Sequence, residues 1–239
     1  MKSEFVKRGR YYDGCGLHEE AYTYYLEAAL YDEDPDAIFE LGVKYLCGSY
    51  VDRDYEKAFK YFKMAYDKNN SLESLYYITQ EYDELAKDKT GRRLVKEFMD
   101  YMLECGQWEL YISIGDEYGS GRIYPLDISK QIECYEKAIE KGIKVGYDLL
   151  AELYFEGEVV EQDCDKAYQY LMSYEGNGSF SKPFYLAEMY RKGICVKKDT
   201  DKAKELYRSI VDDDIAMKFE DRYYLRACEI LEEMNLMKE

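Results

Sequence analysis

Apolar residues recur along this chain with helical spacing, and the pattern repeats about every 36 residues. Between Asp36 and Tyr45, apolar or small residues stand at positions 38, 41, 42 and 45, which is the spacing of one helix face. The apolar–small pair Leu41-Gly42 has three counterparts downstream, at Ile114-Gly115, Leu150-Ala151 and Leu186-Ala187. Successive pairs are 73, 36 and 36 residues apart, so we expect one further unit within the first interval.

A second position in the sequence, usually a small residue, recurs with the same spacing and serves as a second landmark of the repeat. It falls at Ala21, Ala58, Leu94, Gln131, Ala167 and Ala203, at intervals of 37, 36, 37, 36 and 36 residues. Together the two landmarks predict six repeated units in a single repeat domain that spans residues 1–239. The predicted units are 1–33, 34–70, 71–106, 107–143, 144–179 and 180–215, followed by a closing helix over 216–239.

Four short stretches share the pattern Gly-x-x-(Val or Tyr)-x-x-Asp. They are GSYVDRD at Gly48, GRIYPLD at Gly121, GEVVEQD at Gly157 and GICVKKD at Gly193. Glycine ends a helix where positive φ is needed, and aspartate caps the start of the next helix. The pattern therefore predicts a helix, a turn with an apolar plug, and a second helix. We prefer this structural interpretation to four separate acidic sites.

These motifs resemble the Sel-one-like repeat family, a relative of the tetratricopeptide repeats. The similarity is close in the units that begin near Asp36, Glu109, Val145 and Ser181, partial in the N-terminal unit, and weak from 71 to 106. The resemblance implies an all-α fold, a right-handed α-α superhelix (solenoid). It also implies a scaffold, adaptor or regulatory role. Some secreted relatives carry regular disulfides and have been linked to β-lactam binding, but this chain lacks their cysteine pattern.

The resemblance further implies that the first helices line a concave groove that binds a protein or peptide. The expected partner-binding residues are Phe39, Val43, Leu46, Leu75, Tyr82, Ile112, Asp116, Asp148, Glu152, Phe155, Phe184 and Glu188. If exposed, this apolar and acidic set suits an extended or helical segment with apolar anchors and basic residues. In the alternative, several of these aromatic side chains pack between neighbouring helices.

Composition narrows the class of partner. The chain has 239 residues, 47% of them apolar, and a formal net charge of −17. This charge argues against nucleic acid, because phosphate binding needs clustered Lys and Arg, and it permits basic protein partners. The seven cysteines show no CxxC pairing, so we expect reduced thiols that serve mostly as small packing residues in a cytoplasmic protein. We also expect no membrane helix and no secretion signal.

Candidate catalytic chemistry is sparse. The single histidine, His18, stands beside two glutamates without the organisation of a triad or a metal site. Asp32, Asp34 and Asp36 superficially resemble a calcium loop, but that loop needs Gly and Glu where Ala37 and Val43 stand. We therefore expect no catalytic residue, no metal and no cofactor.

One basic cluster lies in the weakly matching third unit. It comprises Lys87, Lys89, Arg92, Arg93 and Lys96. A solvated helix face is the preferred interpretation, and a contact for an acidic partner or a phosphate is the alternative. Because this unit also lacks the turn glycine, it is a candidate hinge or bend of the array.

The sequence thus favours a non-catalytic interaction scaffold or adaptor. A second hypothesis is an acidic decoy that blocks the nucleic-acid-binding surface of another protein, and a third is a hydrolase-type enzyme. Decoy binding should collapse as salt rises, whereas groove binding should be localised and tolerate salt. An enzyme would need a defined polar pocket, which the residues of the repeat motif do not provide.

Overall fold

The computed structural model describes residues 4–174, 180–218 and 222–236, and within these segments all the regular structure is helical. The helices, in chain order, are α1 Glu4–Gly14, α2 His18–Tyr31, α3 Pro35–Cys47, α4 Tyr55–Asn69, α5 Glu73–Gln80, α6 Tyr82–Lys87, α7 Lys89–Glu104, α8 Leu110–Ser120, α9 Ile128–Glu140, α10 Val145–Glu156, α11 Cys164–Met172, α12 Ser181–Lys192, α13 Thr200–Val211, α14 Asp214–Lys218 and α15 Arg222–Leu236. None of them is both long and apolar enough to cross a lipid bilayer.

The helices follow the predicted 36-residue interval. Most predicted units hold one helix pair, such as α3 with α4 or α12 with α13. The third unit departs from this, because its first helix is broken into α5 and α6. By its contacts the chain divides into two compact units: unit 1 is 1–107 with 120–126, and unit 2 is 108–119 with 127–239. The single repeat domain stays a prediction.

The four recurring turns have the predicted geometry. Gly48, Gly121, Gly157 and Gly193 all adopt the left-handed conformation, with φ of 73°, 71°, 67° and 72°. The side chain of the aspartate that closes each motif accepts a hydrogen bond from the backbone amide three residues later, as Asp54 does from Lys57 at 3.0 Å. Its own amide donates to a tyrosine carbonyl nine residues earlier, as in Asp54 to Tyr45 at 2.9 Å. The repeated glycine and aspartate are thus structural.

A lysine also recurs in these turns with a structural role. In each case it follows the capping aspartate by three residues and lies over the ring of a tyrosine in the last turn of the first helix. Lys57 Nζ is 5.0 Å from the centre of the Tyr45 ring and 3.3 Å from Asp54 Oδ2. Lys166 repeats this, 4.7 Å from the Tyr154 ring and 3.5 Å from Asp163. A cation over an aromatic face is a favourable contact, so these lysines are part of the turn.

Close helix packing explains the small residue on the first helix. A Cβ added at Gly42 would lie 2.6 Å from Phe62 Cε1, and one at Gly115 would lie 2.5 Å from Tyr135 Cε1. Each aromatic ring belongs to the second helix of the same pair. The small residue therefore makes room for a ring that fills the core of its unit.

The burial of the cysteine side chains differs from what the sequence predicted. All seven are free thiols, as predicted. However, Cys15, Cys47, Cys105 and Cys195 are exposed, and only Cys134 is buried. The prediction that they are mostly packing residues is therefore wrong, because most of them lie at helix ends and in turns rather than on the faces that helices bury.

Two other polar candidates have structural surroundings. His18 is exposed, and its Nδ1 lies 2.9 Å from Asp13 Oδ1 in unit 1. Asp34 caps α3, accepting hydrogen bonds from the amides of Asp36 at 2.9 Å and Ala37 at 3.3 Å. Helix capping thus accounts for Asp34 in the acidic run.

Candidate functional site

In unit 1, most of the expected groove side chains that the structure describes are buried. Phe39 and Leu46 are 5% and 2% exposed, whereas Val43 is half-buried. The Phe39 ring packs against Tyr77 at 5.2 Å and Phe62 at 5.8 Å between ring centres. The side chains of Leu75 and Tyr82 lie outside the described part of the chain.

Unit 2 shows the same packing. Phe155 and Phe184 are both 2% exposed. Phe155 contacts Tyr185, and Phe184 contacts Tyr207 and Tyr223, with ring centres 5.2 to 5.9 Å apart. The expected exposure is therefore wrong for Phe155 and Phe184, as it is for Phe39 and Leu46 in unit 1. These four side chains instead pack between neighbouring helices, which is the alternative that the sequence left open.

Glu188 is also buried rather than presented to a groove. Its carboxylate accepts hydrogen bonds from Arg191 at 2.8 Å and from the Tyr207 hydroxyl, and Lys192 Nζ lies 2.9 Å away. Burial alone would raise the pKa of Glu188. The hydrogen bonds from Arg191, Tyr207 and Lys192 outweigh burial and lower that pKa to about 2. Glu188 is therefore an internal ion-pair centre of unit 2.

The remaining acidic positions are accessible. Asp116 is exposed, whereas Asp148, Glu152 and the apolar Ile112 are half-buried. Each of the three carboxylates is oriented by a neighbour in unit 2, and the pairs are Tyr135 Oη to Asp116 at 2.6 Å, Tyr174 Oη to Asp148, and Arg222 Nη2 to Glu152 at 2.6 Å. A carboxylate has further lone pairs after one such bond, so these groups can accept from a partner.

A pocket of about 280 Å³ opens beside Tyr135, and we call it the Tyr135 pocket. Helices α9, α10 and α15 and the turn after α10 supply its described lining residues, which are Gln131, Tyr135, Leu149, Glu152, Leu153, Glu156, Glu158, Val159 and Arg222. Three of these are glutamates, and Arg222 is the one cation. The pocket is therefore acidic, with apolar side chains from α10 beside the charges.

A hydrogen-bond chain runs from this pocket to Asp116. Gln131 Nε2 donates to Tyr135 Oη at 2.9 Å, and Tyr135 Oη donates to Asp116. Burial, followed by this bond to Asp116, raises the pKa of Tyr135, so the phenol stays protonated at neutral pH. Gln131 Oε1 is the one buried side-chain acceptor among the described residues that has no hydrogen-bond partner. An arriving donor could satisfy it.

Chemically, this arrangement suits binding of a cationic hydrogen-bond donor. Across residues 4–174, 180–218 and 222–236, no group of three or more His, Cys, Asp or Glu side chains could hold a metal ion. Sequence reasoning missed Gln131, Glu156, Glu158 and Arg222 as site residues. Gln131 could have been noticed in the sequence, because it replaces the small alanine found at the same position in four other units.

The basic cluster of unit 1 is engaged with its own neighbours. Arg93 binds Glu56 at 2.6 Å and Glu97 at 2.7 Å, and Lys87 pairs with Glu84. Arg92 donates to the Ala86 carbonyl, Lys96 lies 4.7 Å from the Tyr124 ring, and Lys89 is exposed. These contacts favour the solvated-face interpretation over a phosphate site.

Helix pairs joined by glycine turns with aspartate caps define a helical repeat protein. The sequence matches the Sel1 repeat at residues 35–70, 111–143, 146–171 and 184–212, which together make up slightly more than half of the chain. The chain belongs to the Sel1 repeat family. Proteins of this family generally act as non-catalytic protein-interaction scaffolds. No curated protein matches the chain significantly.

Solved structures share the fold. A Sel1 repeat protein from Oxalobacter formigenes is 21% identical, with a TM-score of 0.50 over 96% of this chain and 99% of that chain. The protective antigen c5321 of uropathogenic Escherichia coli strains, which displays an SLR fold, is 23% identical, with a TM-score of 0.51 over 87% of this chain. This chain spans 45% of that antigen. The predicted family and the all-α solenoid class are therefore confirmed.

Proposed function

We propose that this protein is a non-catalytic interaction scaffold whose unit 2 binds a basic protein segment at the Tyr135 pocket. The observation that carries the proposal is an acidic pocket with an unpartnered buried acceptor. Glu152, Glu156 and Glu158 line the pocket, and Gln131 Oε1 is buried beside Tyr135 without a donor. An arginine or lysine side chain of the partner would meet both the charge and the acceptor.

The size of the pocket supports a side-chain anchor rather than a whole ligand. Its volume of about 280 Å³ lies just below the usual range of small-molecule sites. A single buried arginine is a frequent binding hot spot at protein interfaces. Half-buried Ile112 and Asp148, both predicted groove residues, are further accessible positions on first helices of unit 2. They are candidates for contacts with the rest of the segment.

Charge reversal in the pocket tests this proposal. We would compare proteins captured from the native host by the wild-type chain and by the double variant Glu156→Lys/Glu158→Lys, with identification by mass spectrometry. Both glutamates are exposed, so the variant should stay folded. The matched control is Glu205→Lys/Glu229→Lys, which makes the same charge change at exposed helix positions of unit 2 outside the pocket.

The expected result is a set of partners retained by the wild type and the control and lost by the pocket variant. Equal loss in both double variants would contradict the pocket and indicate attraction by net charge. The salt dependence of binding distinguishes this proposal from the decoy hypothesis. Between about 0.05 and 0.3 M salt, anchored binding should weaken only several-fold, whereas a decoy held by spread carboxylates should dissociate.

A further inference from the structure

A larger pocket lies in unit 1, among α2, α3 and α4. Its volume is about 630 Å³, within the range of small-molecule sites. The floor is apolar and comes from Leu26, Ala29, Ile38 and Leu41. Leu30 and Met64 lie at the edge, 68% and 39% exposed. Exposed apolar side chains around a concave apolar floor mark a place where a ligand can bury further apolar surface.

Lysines surround this floor although the chain as a whole is strongly acidic. Lys57, Lys60 and Lys68 line the pocket from one face of α4. Lys57 and Lys68 are eleven residues apart, or about 16 Å along the helix axis. Glu33 is the one carboxylate among the described lining residues. The pocket therefore combines an apolar floor with a cationic rim.

Two of the three lysines already have partners. Lys57 is held by Asp54 and the Tyr45 ring, as in the other turns of the repeat. Lys68 pairs with Glu33. In the part of the chain that the structure describes, Lys60 has no hydrogen bond, ion pair or ring contact, and Glu56, one turn earlier on α4, pairs with Arg93. One unpaired positive charge therefore remains at the rim.

Lysine is not a fixed feature of the Lys60 position in the repeat, although the weakly matching third unit also has one, Lys96, at the same phase. The equivalent positions, three residues after the turn lysine, hold Glu133, Gln169 and Glu205. A residue that the repeat geometry required would recur, as Lys57 does. Lys60 therefore has no general structural role in the array.

We propose that this pocket binds a single-chain amphiphile with one anionic headgroup, namely a long-chain carboxylate. The alkyl chain lies on the floor formed by Leu26, Ile38 and Leu41, and Lys60 binds the carboxylate. A single unpaired lysine matches a single negative charge. An acidic amphipathic helix would bring several carboxylates to a rim with one unpaired cation, so the charges favour the amphiphile.

The probe is sodium dodecanoate, used below its micelle concentration and titrated into the full chain by calorimetry. Methyl NMR on labelled methionine and leucine follows the pocket directly through Met64 and Leu30. Octanoate and decanoate, which have shorter alkyl chains, are titrated in the same way. Each further methylene buried on the floor should strengthen binding by about two- to fourfold. Dodecyltrimethylammonium has the same chain with the opposite charge and should bind at least tenfold more weakly.

Lys60 is tested by two substitutions. Lys60→Met keeps the length of the side chain but removes its charge. It should weaken dodecanoate binding about three- to fivefold, the effect of losing one surface ion pair. Lys60→Glu should weaken it by more than tenfold. The control is Lys63→Glu, which makes the same charge change on α4 at a residue that contacts the Tyr101 ring instead of the pocket. The control should retain wild-type affinity.

Three results would overturn the proposal. The first is no saturable binding of dodecanoate, or binding that leaves Met64 and Leu30 unperturbed. The second is equal binding of the cationic amphiphile, which would indicate unspecific apolar adsorption. The third is binding to phosphatidylglycerol vesicles or to a glutamate-rich amphipathic helix in preference to dodecanoate. The Tyr135 pocket lies in unit 2, so its charge-reversal variants test the scaffold proposal separately.

Discussion

Glu188 should stabilise unit 2 in a way that depends on pH. The carboxylate is buried against Arg191, Lys192 and the Tyr207 hydroxyl, and these contacts favour its charged form. The perturbation we consider is Glu188→Gln. Glutamine has nearly the same shape and can still accept from Tyr207, but it cannot neutralise the two cations. The variant thus resembles the protonated state of the native residue.

The size of the effect follows from the pKa. Burial would raise the pKa of Glu188, but the three donors lower it from an ordinary value of 4.5 to about 2. One pKa unit corresponds to about 1.4 kcal/mol, which gives about 3 kcal/mol for the full difference. Arg191 and Lys192 are 32% and 39% exposed, and solvent screening reduces the expected contribution to about 2 kcal/mol.

The sign of the pH dependence follows from the direction of the shift. Because the folded-state pKa lies below the unfolded one, the stabilisation is fully present above pH 4.5 and is lost as the pH falls towards 2. Urea unfolding followed by circular dichroism should therefore place Glu188→Gln about 2 kcal/mol below the wild type at pH 7. The difference should shrink steadily below pH 4.5, where the native glutamate itself becomes protonated.

The control for this experiment is Glu205→Gln. Glu205 is exposed on α13, so its substitution changes the net charge equally and should leave unfolding within about 0.5 kcal/mol of the wild type. A Glu188→Gln variant with wild-type stability at pH 7 would refute the reasoning. So would a deficit that stays constant from pH 7 to pH 3, because a loss of packing rather than of charge has no reason to follow the carboxylate titration.

Three further predictions concern the repeat itself, and chemical denaturation measures each of them. Gly42→Ala should lower the free energy of unfolding by about 1–2 kcal/mol, since the new Cβ would lie 2.6 Å from Phe62, and wild-type stability would contradict the close approach. Gly48→Ala should cost about 1 kcal/mol because φ is 73°, and a neutral result would mean that the turn relaxes. Asp34→Ala should cost about 1 kcal/mol through the lost cap of α3, whereas Asp34→Asn should stay near the wild type.

The local elements of the fold could be predicted from the sequence because they depend on single residues. A glycine at positive φ and an aspartate cap each reflect a backbone requirement that few residues meet, so Gly48 and Asp54 identify their turn without knowledge of the rest. The break between α5 and α6 was not predicted. The third unit lacks the turn glycine and the small residue, so the pattern there indicates a departure from the repeat without specifying its form.

Burial in the expected groove could not be predicted from the repeat. The period gives the helix face on which Phe39 or Phe184 lies, but not whether another ring covers it. The Phe39 ring is covered in part by Tyr77, 38 residues later, and the Phe184 ring by Tyr223, 39 residues later. Such contacts depend on the separation of successive helices, which is set by the packing of many side chains together. Asp116, in contrast, remains exposed although it accepts a hydrogen bond from the Tyr135 hydroxyl.

Positions that depart from the repeat identify the candidate sites better than positions that obey it. Gln131 replaces an alanine of the repeat and lines the Tyr135 pocket. We expect Gln131→Ala to leave the free energy of unfolding nearly unchanged. The substitution removes the hydrogen bond to Tyr135, worth about 1 kcal/mol, but also a buried unpaired acceptor whose burial costs about as much. Binding of the basic partner should nevertheless weaken. A variant that loses stability while keeping its partners would show that Gln131 serves the fold rather than the site.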